Sequence, residues 1–191
     1  GSKGLPLSSC LTDMMDGEFF REGTCNFAEN CLSRQDNSPA ILFTRENVVG
    51  CTLSWSELNA QVRGMAQALV ADGVVAGDRV CAIASNVPET VVAMLAVTAI
   101  GGIWSSVSPD FGVEGILERF SQIQPKVLFY TVSYYNKNKL FDVRDRLESV
   151  QKILCANSLV ELSAEGFALF IAERQKAFVP FEFAKTRFND P

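Results

Sequence analysis

The sequence predicts an α/β fold, a doubly wound and largely parallel sheet with helices on both faces. Three observations predict it. Short apolar strands at 79–84, 103–107 and 127–132 are separated by two helical stretches, giving two consecutive strand–helix–strand units. Connections of only two to five residues suit parallel strands and right-handed crossovers. The helix at 88–100 carries Val91, Val92, Met94, Leu95, Val97 and Ile100 nearly all round, so it must lie against the sheet and under a second layer.

Bulk properties agree and remove several function classes. The chain has 191 residues, 48% of them apolar and 20% charged, which is enough to bury a core. A formal charge of −5, a pI near 4.8 and no basic cluster argue against nucleic acid as a partner. No apolar run reaches the length of a membrane span; 91–103 is too short and is interrupted by Gly101-Gly102. The six cysteines, at 10, 25, 31, 51, 81 and 155, show no paired spacing, as expected of reduced thiols in the cytosol rather than a disulfide or zinc framework. The absence of histidine excludes Ser–His and Cys–His nucleophilic catalysis and histidine metal ligation. Gly1-Ser2 in place of an initiator Met reads as the remnant of a cleaved tag on a trimmed chain.

Taken in order, 1–24 is that remnant and an N-terminal arm without clear period, and 25–191 is one α/β subdomain. Residues 26–32 suit one or two helical turns with Phe27 and Leu32 inward. Residues 40–44 and 51–53 suit a hairpin with a charged turn and Gly50. Ser54 and Glu57 form a capping box for a helix to about residue 72, whose Leu58, Val62, Met65, Ala66 and Leu69 share a face and whose end is Gly73. After the turn at Gly77-Asp78 and the strand at 79–84, Asn86 suits the cap of helix 88–100, with Pro88 and Glu89 in its first turn. The strand at 103–107 and a polar loop precede helix 113–124, where Val113, Ile116, Leu117, Phe120 and Ile123 form a buried stripe and Pro125 ends it. The strand at 127–132 leads through the loop 134–139 to a helix at about 140–149, a strand at 152–155 and a helix at 165–175. The aromatic, alternating stretch 178–188 suits an edge strand or an extended cover.

In open parallel sheets, ligands sit beyond the carboxyl ends of the strands. The loop Ser108-Pro109-Asp110-Phe111-Gly112 lies at such an end, so function is sought there first. A purely structural role is also open: Asp110 capping the next helix, Pro109 stiffening the loop and Phe111 anchoring it. Lys137 and Lys139 make a small basic spot that, on the residues alone, reads as a solvated loop charge. Trp104 suits core packing better than ligand contact, Glu118 and Arg119 suit a solvated helix face, and Gly73, Gly77 and Gly112 suit backbone punctuation. The G-x-G-x-x-G turn of a dinucleotide-binding dehydrogenase is missing.

The run WSSVSPDFGV followed by ERFSQIQPK, together with NFAEN at 26–30 and matches at 53–58, 77–82, 88–125 and 181–191, resembles the adenylate-forming acyl-CoA ligase superfamily, specifically its acetoacetate-activating branch. The resemblance runs from about Gly17 to Pro191 and implies the N-terminal part of such a ligase, truncated before the ATP phosphate loop. It implies ATP, Mg²⁺ and CoA as cofactors of the full-length enzyme, with none held tightly by this chain alone. Acetoacetate, ATP and CoA are the implied small-molecule partners, and the cytosol the implied location. No catalytic or metal-binding residue is expected within these residues. The implied CoA-facing residues are Pro109, Asp110, Phe111 and Lys139, with the lysine facing the 3′-phosphate. Pro109 and Asp110 stand where relatives carry glycines. An acetyl- or propionyl-CoA ligase and a non-catalytic interaction module are the competing readings.

Overall fold

A computed structural model describes residues 23–45, 48–174, 180–187 and 190 of the chain. The arm at 3–22, the turn at 46–47 and part of the 178–188 stretch lie outside the described residues. The elements, in order, are β1 (Thr24–Cys25), α1 (Phe27–Cys31), β2 (Pro39–Arg45), β3 (Val48–Ser54), α2 (Trp55–Ala71), β4 (Arg79–Ile83), α3 (Pro88–Ala99) and β5 (Ile103–Val107). Then follow α4 (Val113–Phe120), β6 (Val127–Tyr130), β7 (Ser133–Asn136), β8 (Lys139–Asp142), α5 (Arg144–Leu154), β9 (Ser158–Glu161), α6 (Ala164–Arg174) and β10 (Thr186–Arg187).

The central sheet has the strand order β5-β4-β6-β9, and every pair is parallel. Alternation along each strand separates two cores. Val80, Ala82, Val127 and Phe129 face a layer made by α1, α2, α3 and α6. Cys81, Ile83 and Leu128 face the layer of α4 and α5. Burial pushes the Cys81 thiol up to about 12 against a small opposing effect of Arg79, so this cysteine acts as a small apolar residue. The chain moves from β4 to β5 in one direction and returns past β4 to β6. Right-handed crossovers therefore put α3 and α4 on opposite faces.

Helix α3 meets its expectation: every residue from Pro88 to Ile100 is buried or half-buried. Its end is closed by Gly101 at φ +77°, where a Cβ would stand 3.0 Å from the Cβ atoms of both Ala76 and Ala184. The Ser54–Glu57 capping box on α2 is present in both directions. Trp104 packs against Phe129, ring centroids 6.0 Å apart, as core.

Several local expectations are corrected. The N-cap of α3 is Val87, not Asn86, and no side chain caps it; Thr90 Oγ1 instead donates to Ser85 O. At 26–32, Leu32 is buried as expected, but Phe27 is 57% exposed and Ala28, fully buried, is the other inward residue. Helix α4 stops at Phe120 because Pro125 disfavours helix at Gln124, which takes φ +47°, and Phe120 O accepts from both Ile123 N and Gln124 N. The loop expected at 134–139 is an antiparallel hairpin, β7–β8, turned through Lys137 and Asn138, both at positive φ as a two-residue hairpin turn needs. Its stacked Tyr134 and Phe141, centroids 5.3 Å apart, draw 140–142 out of the helix expected there. Helix α5 instead begins after Val143 and absorbs 152–154; Leu147 and Val150 are its inward residues, and Ile153, which suggested a strand, is exposed. Cys155 ends it in the left-handed conformation, and the strand comes later, at 158–161. Of the 178–188 stretch, Phe181 and Phe183 cover the first core and Thr186–Arg187 pairs with Thr24–Cys25.

At the amino ends of the strands, Asp78 accepts from Val75 N and from Lys126 Nζ, both at 2.8 Å, and Lys126 also reaches Gly73 O. Partial burial works to raise the Asp78 pKa, but the Lys126 hydrogen bond, the Val75 N–H and the charges of Lys126 and Arg79 outweigh it and hold the carboxyl below its usual range. A depressed carboxyl stabilises the fold above its ordinary pKa, and that stabilisation is lost as pH falls through the folded value. Asp78→Asn should therefore cost about 1 kcal/mol at neutral pH and flatten the acid limb of stability against pH. Urea titrations from pH 7 downward check this; parallel acid limbs for the two proteins would contradict it.

Candidate functional site

Neighbouring strands β4 and β5 send their outgoing loops to opposite faces of the sheet, which opens a crevice between them. A cleft of about 530 Å³ lies there. One wall is 84–87, following β4, and another is Ser108, Pro109 and Asp110, following β5. The hairpins supply the rest: Phe43, Thr44 and Arg45 from β2, and Tyr134, Tyr135 and Asn136 from β7.

Local bonding fixes these walls. Ala84 N donates to Val107 O and Thr131 N to Ile83 O, which carries the sheet one step beyond the strands. Ser85 N donates to the buried Thr131 Oγ1 at 3.2 Å. Arg45 lies 5.1 Å from the Tyr135 ring centroid, joining the two hairpins through a cation–π contact. The loop after β5 turns on a bond from Phe111 N to Ser108 O at 3.3 Å. Arg146, on α5, donates through Nη1 to Pro109 O at 2.5 Å and to Phe111 O at 2.9 Å. Among the described residues, no three His, Cys, Asp or Glu side chains gather as a metal site.

The structure brings together some of the expected residues. Pro109 is buried and Asp110 exposed, and both line the cleft. Asp110 does not cap α4: its N-cap is Gly112, without a side-chain bond. Phe111 is not among the lining residues; it is 40% exposed, with the Arg119 guanidinium 4.8 Å from its ring centroid. Lys139 is exposed on β8, paired with the cleft residue Asn136, and Lys137 occupies the hairpin turn. Sequence reasoning missed Arg45, Tyr135 and Arg146. The Tyr134-Tyr135 pair inside a short alternating stretch was the available signal for the hairpin; the reach of Arg146 to a loop 35 residues away has no local signature.

The AMP-binding enzyme family matches residues 27–179. The chain is 44% identical over 147 residues to an acetoacetyl-coenzyme A synthetase of Rhizobium meliloti, covering 77% of this chain and 23% of that protein. It is 42% identical over 139 residues to the acetoacetyl-CoA synthetase of Mus musculus, covering 71% of this chain and 20% of the relative. Among solved structures, the acetoacetyl-CoA synthetase from Streptomyces lividans superposes with a TM-score of 0.83 at 31% identity, over 97% of this chain and 30% of that one. An acyl-CoA synthetase of Brucella canis shares the fold, with a TM-score of 0.70 at 20% identity over 87% of this chain and 30% of that one. The chain thus spans under a third of each of these relatives. With the family match running from α1 to just beyond α6, the chain belongs to the AMP-binding enzyme family.

Proposed function

We propose that this chain is the N-terminal part of an acid–thiol ligase that joins acetoacetate to CoA at the expense of ATP. The similarity to acetoacetyl-CoA synthetases over most of the chain carries this reading. In the first step a carboxylate oxygen of acetoacetate attacks the α-phosphorus of ATP, and the bond to pyrophosphate breaks. In the second, the CoA thiolate attacks the acyl carbon of the adenylate, and the bond to AMP breaks. Mg²⁺ would be held by the ATP phosphates. Neither bond change is assigned to a residue of this chain. Its part is to form one wall of the CoA site, with Pro109 and Asp110 in the cleft and Phe111 holding the loop from outside. We place the enzyme in the cytosol, where it returns a ketone body to lipid metabolism.

The test is pyrophosphate release. The full-length ligase should release it with acetoacetate and ATP, and more slowly with acetate or propionate, while this chain alone should stay at the no-protein background. Preference for acetate or propionate would replace acetoacetate in this reading, and release by the chain alone would overturn the division of labour. Within the full-length ligase, Lys139→Ala should raise the CoA KM about tenfold, matching about 1–2 kcal/mol for an exposed lysine–phosphate contact, with the acetoacetate KM unchanged. The same substitution should leave 3′-dephospho-CoA unaffected; an equal effect on both would remove the lysine from the 3′-phosphate.

A further inference from the structure

We propose that Arg146 is a positioning residue, which turns the 109–112 loop so that two backbone N–H groups are free to bind an acceptor oxygen of CoA. This rests on the CoA reading above. One guanidinium nitrogen holds the carbonyls of Pro109 and Phe111, the residues on either side of Asp110, and so ties the loop to α5. A trans peptide is planar, with its C=O and N–H pointing in opposite directions. With the carbonyls of 109 and 111 turned toward α5, the N–H groups of Asp110 and Gly112 are turned away from it. Neither N–H has a hydrogen-bond partner among the described residues. Asp110, which carries the first of these amides, lines the cleft beside Pro109, and Gly112 stands two residues further along the same loop.

This arrangement explains how a loop with Pro109 and Asp110 in place of glycines still serves a ligand. Close backbone approach is not needed at Pro109, which has no N–H to offer. The donors are the next residue and the one beyond Phe111. A pair of oriented amides suits a phosphate oxygen or an amide carbonyl, and CoA carries both. Arginine fits the tethering task because its planar head keeps donor geometry fixed, whereas the flexible ammonium of lysine offers a single point.

Two measurements test the assignment. In this 191-residue chain, Arg146→Ala should speed amide hydrogen exchange at Phe111, whose N–H is bonded to Ser108 O, at least tenfold while leaving the strands β4 and β6 protected. Unchanged exchange at Phe111 would overturn the tether, independently of any activity. In the full-length ligase, Arg146→Ala should raise the CoA KM about tenfold, with acetoacetate-dependent ATP–pyrophosphate exchange, which needs no CoA, unchanged. Arg146→Lys should recover part of the loss. Pantetheine, which lacks the phosphates, separates the acceptors: a raised KM for it too assigns the donors to the amide, and a rise for CoA alone assigns them to phosphate. Equal losses in both half-reactions would make Arg146 merely structural. Absence of acetoacetate-dependent exchange in the unsubstituted ligase would instead overturn the functional reading, leaving the hydrogen-exchange result to decide the tether.

Discussion

Phe120→Ala should remove about 3–5 kcal/mol of folding stability, the range for deleting a fully buried aromatic ring. Phe120 has no exposed surface and ends α4, where its ring joins Cys81, Ile83, Leu128, Leu147 and Val150 beneath the sheet. This second core is the smaller of the two and draws its cover from two helices, so a cavity there has few neighbours able to collapse into it. Phe120→Leu, which keeps most of the volume, should cost about 1–1.5 kcal/mol. Urea unfolding of the two variants measures both values. A loss below about 1 kcal/mol for the alanine variant would mean that α4 is not packed as described. The consequence for the site is direct, because α4 follows its N-cap Gly112 and anchors the loop that lines the cleft.

The sheet was legible in the sequence because its information is local. Period, length and Gly or Pro punctuation around 79–130 each fit one answer, and the three strands expected to be parallel, β4, β5 and β6, are parallel. What failed was decided by partners distant in sequence or by competing local patterns. Leu140 and Phe141 look like the start of an amphipathic helix, yet Phe141 stacks on Tyr134 across a hairpin that no Asn-Gly turn announces. Ile153 and Leu154 look like a strand, but the helical stripe of Leu147 and Val150 runs on to Leu154 and leaves Ile153 exposed. Topology pointed to the loop after β5 as the place to look, and Pro109 and Asp110 of that loop line the cleft. Arg45 and Arg146 act through tertiary contacts that a linear reading has no means to register.

Asn26→Ala should cost about 2–3 kcal/mol, a large effect for a single small polar side chain. Asn26 is 1% exposed, and its side chain serves two jobs. Oδ1 caps α1 by accepting from Glu29 N at 3.0 Å. Nδ2 donates to Thr98 O, Ala99 O and Ala184 O at 2.9, 3.1 and 3.0 Å, joining the last turn of α3 to the segment before β10. Two of these carbonyls keep other donors, since Gly101 N reaches Thr98 O and Ala184 N reaches Ala99 O, which limits the penalty. Ala184 O has no such substitute among the described residues. Comparison of substitutions separates the two jobs. Asn26→Asp keeps the capping acceptor but sets a carboxylate oxygen against three carbonyl oxygens, so at neutral pH it should be less stable than Asn26→Ala. Asn26→Ser, which retains a cap without the donor's reach, should fall between the wild type and Asn26→Ala. Thermal and urea unfolding order the four proteins. An aspartate variant as stable as the wild type would show that Asn26 is only a helix cap and that α3 and the 184 segment are joined by apolar packing and the Ala184–Ala99 bond alone.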